Sequence, residues 1–316
     1  MDARFHSAIA AIKSGEFNAL KELLSQDPTL ATSRSSTSHP TLLQCLALEA
    51  RGVRNQVEMA TLLVEAGAEI DGPLIACASV NNVEVAEALL DAGALVNRAG
   101  RWSPLEETLY WGSNDVRDLL LQRGASVHNL RIAAGLGRVD VVEGLFNGDG
   151  TLKAEAGTVE WPFTDSLIAN TPSPKKEEVQ ATIDSWSHDS RNVINNAFVY
   201  ACMHNHIETA KLLLGKGAEI NAIPPGFHYP GTALHNAAGN GDRAMVEFLL
   251  EQGADANAKD KESGGSPAGW AAYGGHQALK DYLEQIAQEN ITKEGRNGFK
   301  GTARSTEPQA IRGSGE

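Results

Sequence analysis

Aromatic side chains are scarce in this sequence: Phe, Tyr and Trp together make up 6% of 316 residues. A core built from such a chain must be packed by alanine and small aliphatics, which the 42% hydrophobic fraction supplies. Cysteine is scarcer still. Cys45, Cys77 and Cys202 are odd in number, far apart and set in apolar, helix-like stretches. That is the pattern of reduced thiols filling a core, and it leads to an expectation of a cytoplasmic protein. Positive charge is also short, with 27 Lys and Arg against 40 Asp and Glu, a formal net charge of −13. No basic cluster offsets it, so nucleic-acid backbones and anionic membrane surfaces are excluded as expected partners. No apolar run approaches the roughly 20 residues that span a bilayer. The opening MDARFHSAIAAIKSGEF is too often interrupted by polar residues to read as a signal peptide.

What the chain has in abundance is one recurring phrase: an acidic residue, aliphatics, a leucine pair, then glycine-alanine. It reads VEMATLLVEAGAEID from Val57, VEVAEALLDAGALVN from Val83, NDVRDLLLQRGASVH from Asn114, IETAKLLLGKGAEIN from Ile207 and RAMVEFLLEQGADAN from Arg243. Gly67, Gly93, Gly124, Gly217 and Gly253 each fall just past a helical pattern, where a left-handed residue closes the helix. Shorter alanine-rich helices precede several copies: LIACASV, LRIAAGLG, FVYACMHN, LHNAAGNG and GWAAYGGH. Two antiparallel helices per unit, recurring at about three dozen residues, predict a stacked helical array.

One unit makes the likeness specific. GTALHNAAGNGDRAMVEFLLEQGADANAKD resembles a complete ankyrin repeat, with Ala233 where the family has proline, and SPAGWAAYGGHQALKDYLE resembles a partial one. The resemblance implies an all-α ankyrin-repeat solenoid. About five repeats, the first a capping unit, occupy 1–150, and about three occupy 190–290. An insertion fills 151–189 and a disordered tail 291–316. Near Gly72 and His128 one repeat runs almost directly into the next, so β-hairpin fingers are short or missing there. The insertion carries VEWPFTDSL, NTPSPKKEE and a helix expected from about Lys176 to Trp186. In such repeats His235 bonds between neighbouring units, and His206 and His276 hold a related structural slot.

No catalytic or metal motif emerges. HNH at His204–His206 places two histidines two apart on a helix, too far round to chelate together. GNG and GGH lack the strand-to-helix setting of a phosphate loop. There is no spaced Cys/His set and no serine with an evident base. Neither a metal nor a cofactor is expected.

The scarce aromatics are unevenly placed. The resemblance implies that the residues just before the inter-helix turn, the residue before the alanine pair and the finger all face the concave side. Those positions hold Arg101, Trp102, Glu107, Tyr110 and Trp111, then Tyr200, Met203 and His204, then Asn236 and Asn240, and finally Trp270 and Tyr273. The finger PPGFHYP adds Phe227, His228 and Tyr229, with Pro224, Pro225 and Pro230 restricting its backbone. Seven of the ten Trp and Tyr residues fall there, and these two residue types dominate interface hot spots.

Two readings follow. The first is a non-catalytic scaffold or protein-binding module whose aromatic-lined concave groove takes another protein or peptide, one with a basic patch being favoured by the acidic charge. The alternative is a small-molecule pocket or enzyme closed by the 151–189 insertion, with His204 and His228 as acid and base and Glu107 or Asp165 orienting one of them.

Overall fold

The computed structural model describes residues 3–35, 40–97, 102–164, 167–168, 171–172, 175–228 and 230–301, with backbone alone for Ala3 and 291–301. Arg101, Asp165 and Tyr229, singled out above, lie outside the described residues.

Among these residues there are seventeen α-helices and no strand, only an isolated bridge between Phe146 and Leu152. Sixteen of the helices form eight antiparallel pairs: α1 (His6–Ser14) with α2 (Phe17–Gln26), α3 (Leu42–Glu49) with α4 (Gln56–Glu65), α5 (Asp71–Val80) with α6 (Val83–Asp91), α7 (Pro104–Trp111) with α8 (Asn114–Gln122). After α9 (Leu130–Gly135) and α10 (Val139–Gly144) comes α11 (Lys175–Ser187), which belongs to the insertion. The remaining pairs are α12 (Ser190–Met203) with α13 (Ile207–Gly215), α14 (Ala233–Asn240) with α15 (Arg243–Glu251), and α16 (Pro267–Tyr273) with α17 (Gln277–Gly301). The chain is an all-α solenoid divided into two compact units, 1–217 and 218–316.

In the first unit the first helices of successive pairs stack in chain order, α1, α3, α5, α7, α9 and α12, and the second helices α2, α4, α6 and α8 form another layer behind them. The alanine pairs are what allow this closeness. Ala47, Ala78, Ala133, Ala134 and Ala201 are all fully buried, and a side chain of one carbon keeps neighbouring helix axes near the short end of their usual 8–10 Å spacing. The leucine pair of each second helix contributes the bulk: Leu63, Leu89, Leu120 and Leu213 are 0% exposed. The glycines that follow, Gly67, Gly93, Gly124 and Gly217, have φ between 87° and 96°, so each supplies the left-handed turn expected of it.

The insertion stays within the first unit. α9 packs on α12, so the two pairs flanking it are neighbours and the intervening segment loops out. It is nevertheless anchored: Ala156, Val159 and Ile183 are buried, and the Val159 amide donates to the Ser187 carbonyl at 2.9 Å. Its helix α11 covers the stretch expected from the sequence.

In the second unit α14 packs on α15 and on α16, and α16 on α17. α17 runs to Gly301, past residue 291 where the tail was expected to begin, and 302–316 lie outside the described residues. No helix among the described residues is long and apolar enough to cross a membrane.

Candidate functional site

In the first unit the candidate residues gather around α7. Its sequence, SPLEETLYWG, is a helix start written in full. Ser103 caps the helix by accepting from the Glu106 amide, Glu106 reaches back to the Ser103 amide at 2.8 Å, and Pro104 sits at the first helical position. This box fixes one oxygen of Glu106 and turns the other inward, where Arg131 of α9 and Asn129 meet it. Glu106 is 2% exposed and Arg131 4%. Burial by itself would raise the Glu106 carboxyl, but the Arg131 guanidinium, the Ser103 amide and Asn129 outweigh it and hold it below the usual carboxylate range. Arg131 also donates to the Thr158 carbonyl of the insertion at 3.2 Å and lies 5.1 Å above the Trp102 ring.

One residue along, Glu107 has a different environment. It is 8% exposed, and its hydrogen bonds come from two indoles, Trp102 Nε1 at 2.5 Å and Trp111 Nε1 at 2.9 Å. Trp111 follows Glu107 by four residues, one helical turn, which is why it arrives on the same face. Burial pushes the Glu107 carboxyl up, with the two indole bonds opposing the rise. Tyr110 lies edge-on between the rings, 5.8 Å from Trp102 and 5.0 Å from Trp111, in the T-shaped geometry aromatic pairs favour.

The expectation that these positions lie on an open face needs correcting residue by residue. Trp111 is 45% exposed, and Trp102, Met203 and His204 are half-buried. Tyr110 at 8% and Tyr200 at 0% are packed inside. Tyr200 lies among the charged and aromatic groups contributed by Arg131, Tyr110, Glu106 and Glu107, and burial raises its hydroxyl well above the ordinary tyrosine range. Arg131, which donates to the Thr158 carbonyl of the insertion, lies over Trp102 and acts on Tyr200, a contact that an open-groove reading leaves out.

His204 also has a structural task. Its Nε2 lies 2.8 Å from the Leu109 carbonyl, and a carbonyl only accepts, so that nitrogen carries the proton. Burial lowers the ring's pKa to about 4, keeping it neutral at pH 7. His206 reaches the Gly135 carbonyl at 3.1 Å and stacks on His204 with ring centres 6.4 Å apart. The expected structural roles of two further histidines are also visible. His235 closes the Thr232 capping box and bonds the Gly265 carbonyl at 3.1 Å, and His276 packs against Gly241. Among the described residues no group of His, Cys, Asp and Glu could hold a metal ion.

In the second unit, Trp270 lies over Gly231 and Gly239, whose missing side chains make room for it. It is edge-on to His235 at 5.3 Å and donates to Asp260 at 2.9 Å. Asp260 also accepts from the amides of Glu262, Ser263 and Gly264, tying the turn before α16 into a knot. Asn236 is turned back onto the Thr232 carbonyl of its own helix. Tyr273 is 97% exposed. Asn240 and His228 are exposed and Phe227 is half-buried, in a finger whose Pro224 and Gly226 are buried.

The sequence reading missed Glu106, Arg131, Asn129 and Asp260. A Ser-x-x-Glu capping box at Ser103 and a lone arginine inside LRIAAG were available signals for the first two. The reach of Asp260 to Trp270 had no local signature.

Residues 198–250 match the family model described as ankyrin repeats (many copies). The chain is 28% identical over 238 residues to ankyrin repeat protein nuc-2 of Neurospora crassa, a match covering 69% of this chain and 21% of that protein. The chain thus spans about a fifth of that relative's length. It is also similar to the crystal structure of the human ASB11 ankyrin repeat domain, with 17% identity, 87% of this chain and 96% of that one covered, and a TM-score of 0.39. The family match identifies ankyrin repeats at residues 198–250, and the repeated phrases and the eight helix pairs resemble that repeat along the rest of the described chain.

Proposed function

We propose that the protein is a non-catalytic binding module that takes a protein or peptide partner against the aromatic face of its first unit, with Trp111 as the central contact. Ankyrin repeats are generally protein-interaction modules and typically non-catalytic. The observation that carries the reading is the state of Trp111. The residue keeps 45% of its surface open, yet its ring nitrogen is fixed by Glu107. An exposed indole held in one orientation loses little further freedom on binding, which is the property of an interface anchor. Tyr273, 97% exposed, gives the second unit an aromatic contact of its own.

The enzyme alternative has less to stand on. His204 spends its Nε2 proton on a backbone carbonyl and is neutral at pH 7, which removes it as a proton donor to substrate. Both oxygens of Glu107 are engaged by indoles.

The test is a pull-down from native extract using wild type, Trp111→Ala and Tyr273→Ala, each first checked for native helicity by circular dichroism. A specific band lost or reduced about 30-fold with Trp111→Ala, the effect of losing a hot spot of ~2 kcal/mol, supports the reading. A band retained equally by all three proteins overturns the assignment of the face.

A further inference from the structure

We propose that Glu107 and the exposed face of Trp111 form a seat for a cationic side chain, lysine or arginine, carried by the partner. This deepens the binding-module reading and rests on it.

The basis is an asymmetry between two adjacent carboxylates on one helix. Glu106 is buried and fully compensated by a guanidinium, an amide N–H and an asparagine side chain. Glu107 is buried nearly as deeply, yet its bonds come from neutral indoles, and no described cation forms an ion pair with it. A buried carboxylate without countercharge is among the more costly arrangements in a fold. The two indoles fix where its carboxylate sits, and Trp111, bonded to it, reaches solvent.

The ring system already shows what it can hold. The Arg131 guanidinium lies over Trp102 at 5.1 Å, with its charge met by Glu106. Trp111 is a second indole joined to a carboxylate, Glu107, and no described cation pairs with that carboxylate. An ammonium or guanidinium over the open Trp111 face would gain the ring's electrostatic attraction and Glu107's charge together. An anionic or apolar side chain there would meet an uncompensated carboxylate instead. The formal charge of −13 adds attraction at longer range. The charged and titratable groups that meet Glu107 at the Tyr200 hydroxyl of α12 are Glu106 and Tyr110 on its own helix and Arg131 from α9. Of these only Arg131 is cationic, and it is committed to Glu106.

The experiment uses the full chain labelled with ¹⁵N, following the Trp102 and Trp111 indole N–H resonances, with Trp111→Phe providing the assignment. Tetralysine is titrated in, with tetraglutamate as control, into wild type and Glu107→Gln. The expected result is saturable movement of both resonances with tetralysine alone, at an affinity about 10-fold weaker in Glu107→Gln, as for the loss of one charge-assisted contact. Resonances that stay still, or a Glu107→Gln curve that overlays wild type, overturn the seat.

A second measurement guards against misfolding of the variant. In wild type, the midpoint of the Trp111 N–H titration with pH should fall when tetralysine is present, because a cation favours the carboxylate. An unchanged midpoint also overturns the proposal. A natural partner that binds Glu107→Gln normally but loses Trp111→Ala would retain the binding-module reading and remove the cationic seat.

Discussion

Glu106 and Glu107 share a peptide bond and a depth of burial, yet they contribute to stability with opposite signs. Glu106 is held below the usual carboxylate range, so the stability it confers is present above the unfolded-state value near 4 and is lost as pH falls through the lower folded value. Removing its charge leaves Arg131 buried and unpaired. Glu106→Gln should therefore cost about 3–5 kcal/mol, read as a drop in the midpoint of urea unfolding at pH 7. A loss under about 1 kcal/mol would mean the pair is dispensable. Glu107 is pushed above the usual range by burial. Whatever its protonated form contributes is present at low pH and is lost as pH rises through the folded value. Glu107→Gln should accordingly gain thermal stability relative to wild type between pH 4 and pH 7. A difference in melting temperature that does not vary with pH would remove the claim that the charge is uncompensated.

At the scale of helices and turns, much was legible because the determinants are local. The terminal glycines, the Thr232–His235 and Ser103–Glu106 capping boxes and the leucine pairs all operate within one helical turn, and a single sequence contains that information. The layer of contacts around Arg131 was not legible, because Glu106, Thr158 and Trp102 lie 25, 27 and 29 residues from it, and nothing in the sequence states that the insertion folds back there. For the same reason Tyr200 was expected on an open face. Its own helix places it correctly, but its cover comes from elsewhere. Two glycines of the second unit give a test of how far local and packing demands separate. Gly253 has φ 90° and open space where a Cβ would go, so Gly253→Ala should cost only the left-handed term of about 1–2 kcal/mol. Gly241 has φ 78°, and a Cβ there would stand 2.5 Å from the His276 ring. Gly241→Ala should lower the unfolding midpoint visibly more. Equal effects would show that His276 swings aside without loss.

At the scale of the whole molecule, charge sets how a partner arrives. With −13 on the chain, a basic partner should associate faster at low ionic strength. Raising salt from 50 to 500 mM should slow association many-fold while leaving dissociation nearly unchanged. A salt-independent association rate would point to an uncharged partner surface. Stacked repeats are ordinarily treated as a one-dimensional lattice in which each unit feels only its nearest neighbours. The hydrogen bond from His204 to the Leu109 carbonyl does not obey that picture. It passes over Gly135, whose single hydrogen leaves the gap, and ties the α7 pair to the α12 pair past the α9 pair between them. In the language of such lattices this is a next-nearest-neighbour coupling, placed where the array is thinnest, since α9 and α10 have only six residues each. A fracture at either boundary of the α9 pair must break this bond as well as the local interface, so the shortest pair in the first unit is clamped by its two neighbours and opens only when they part.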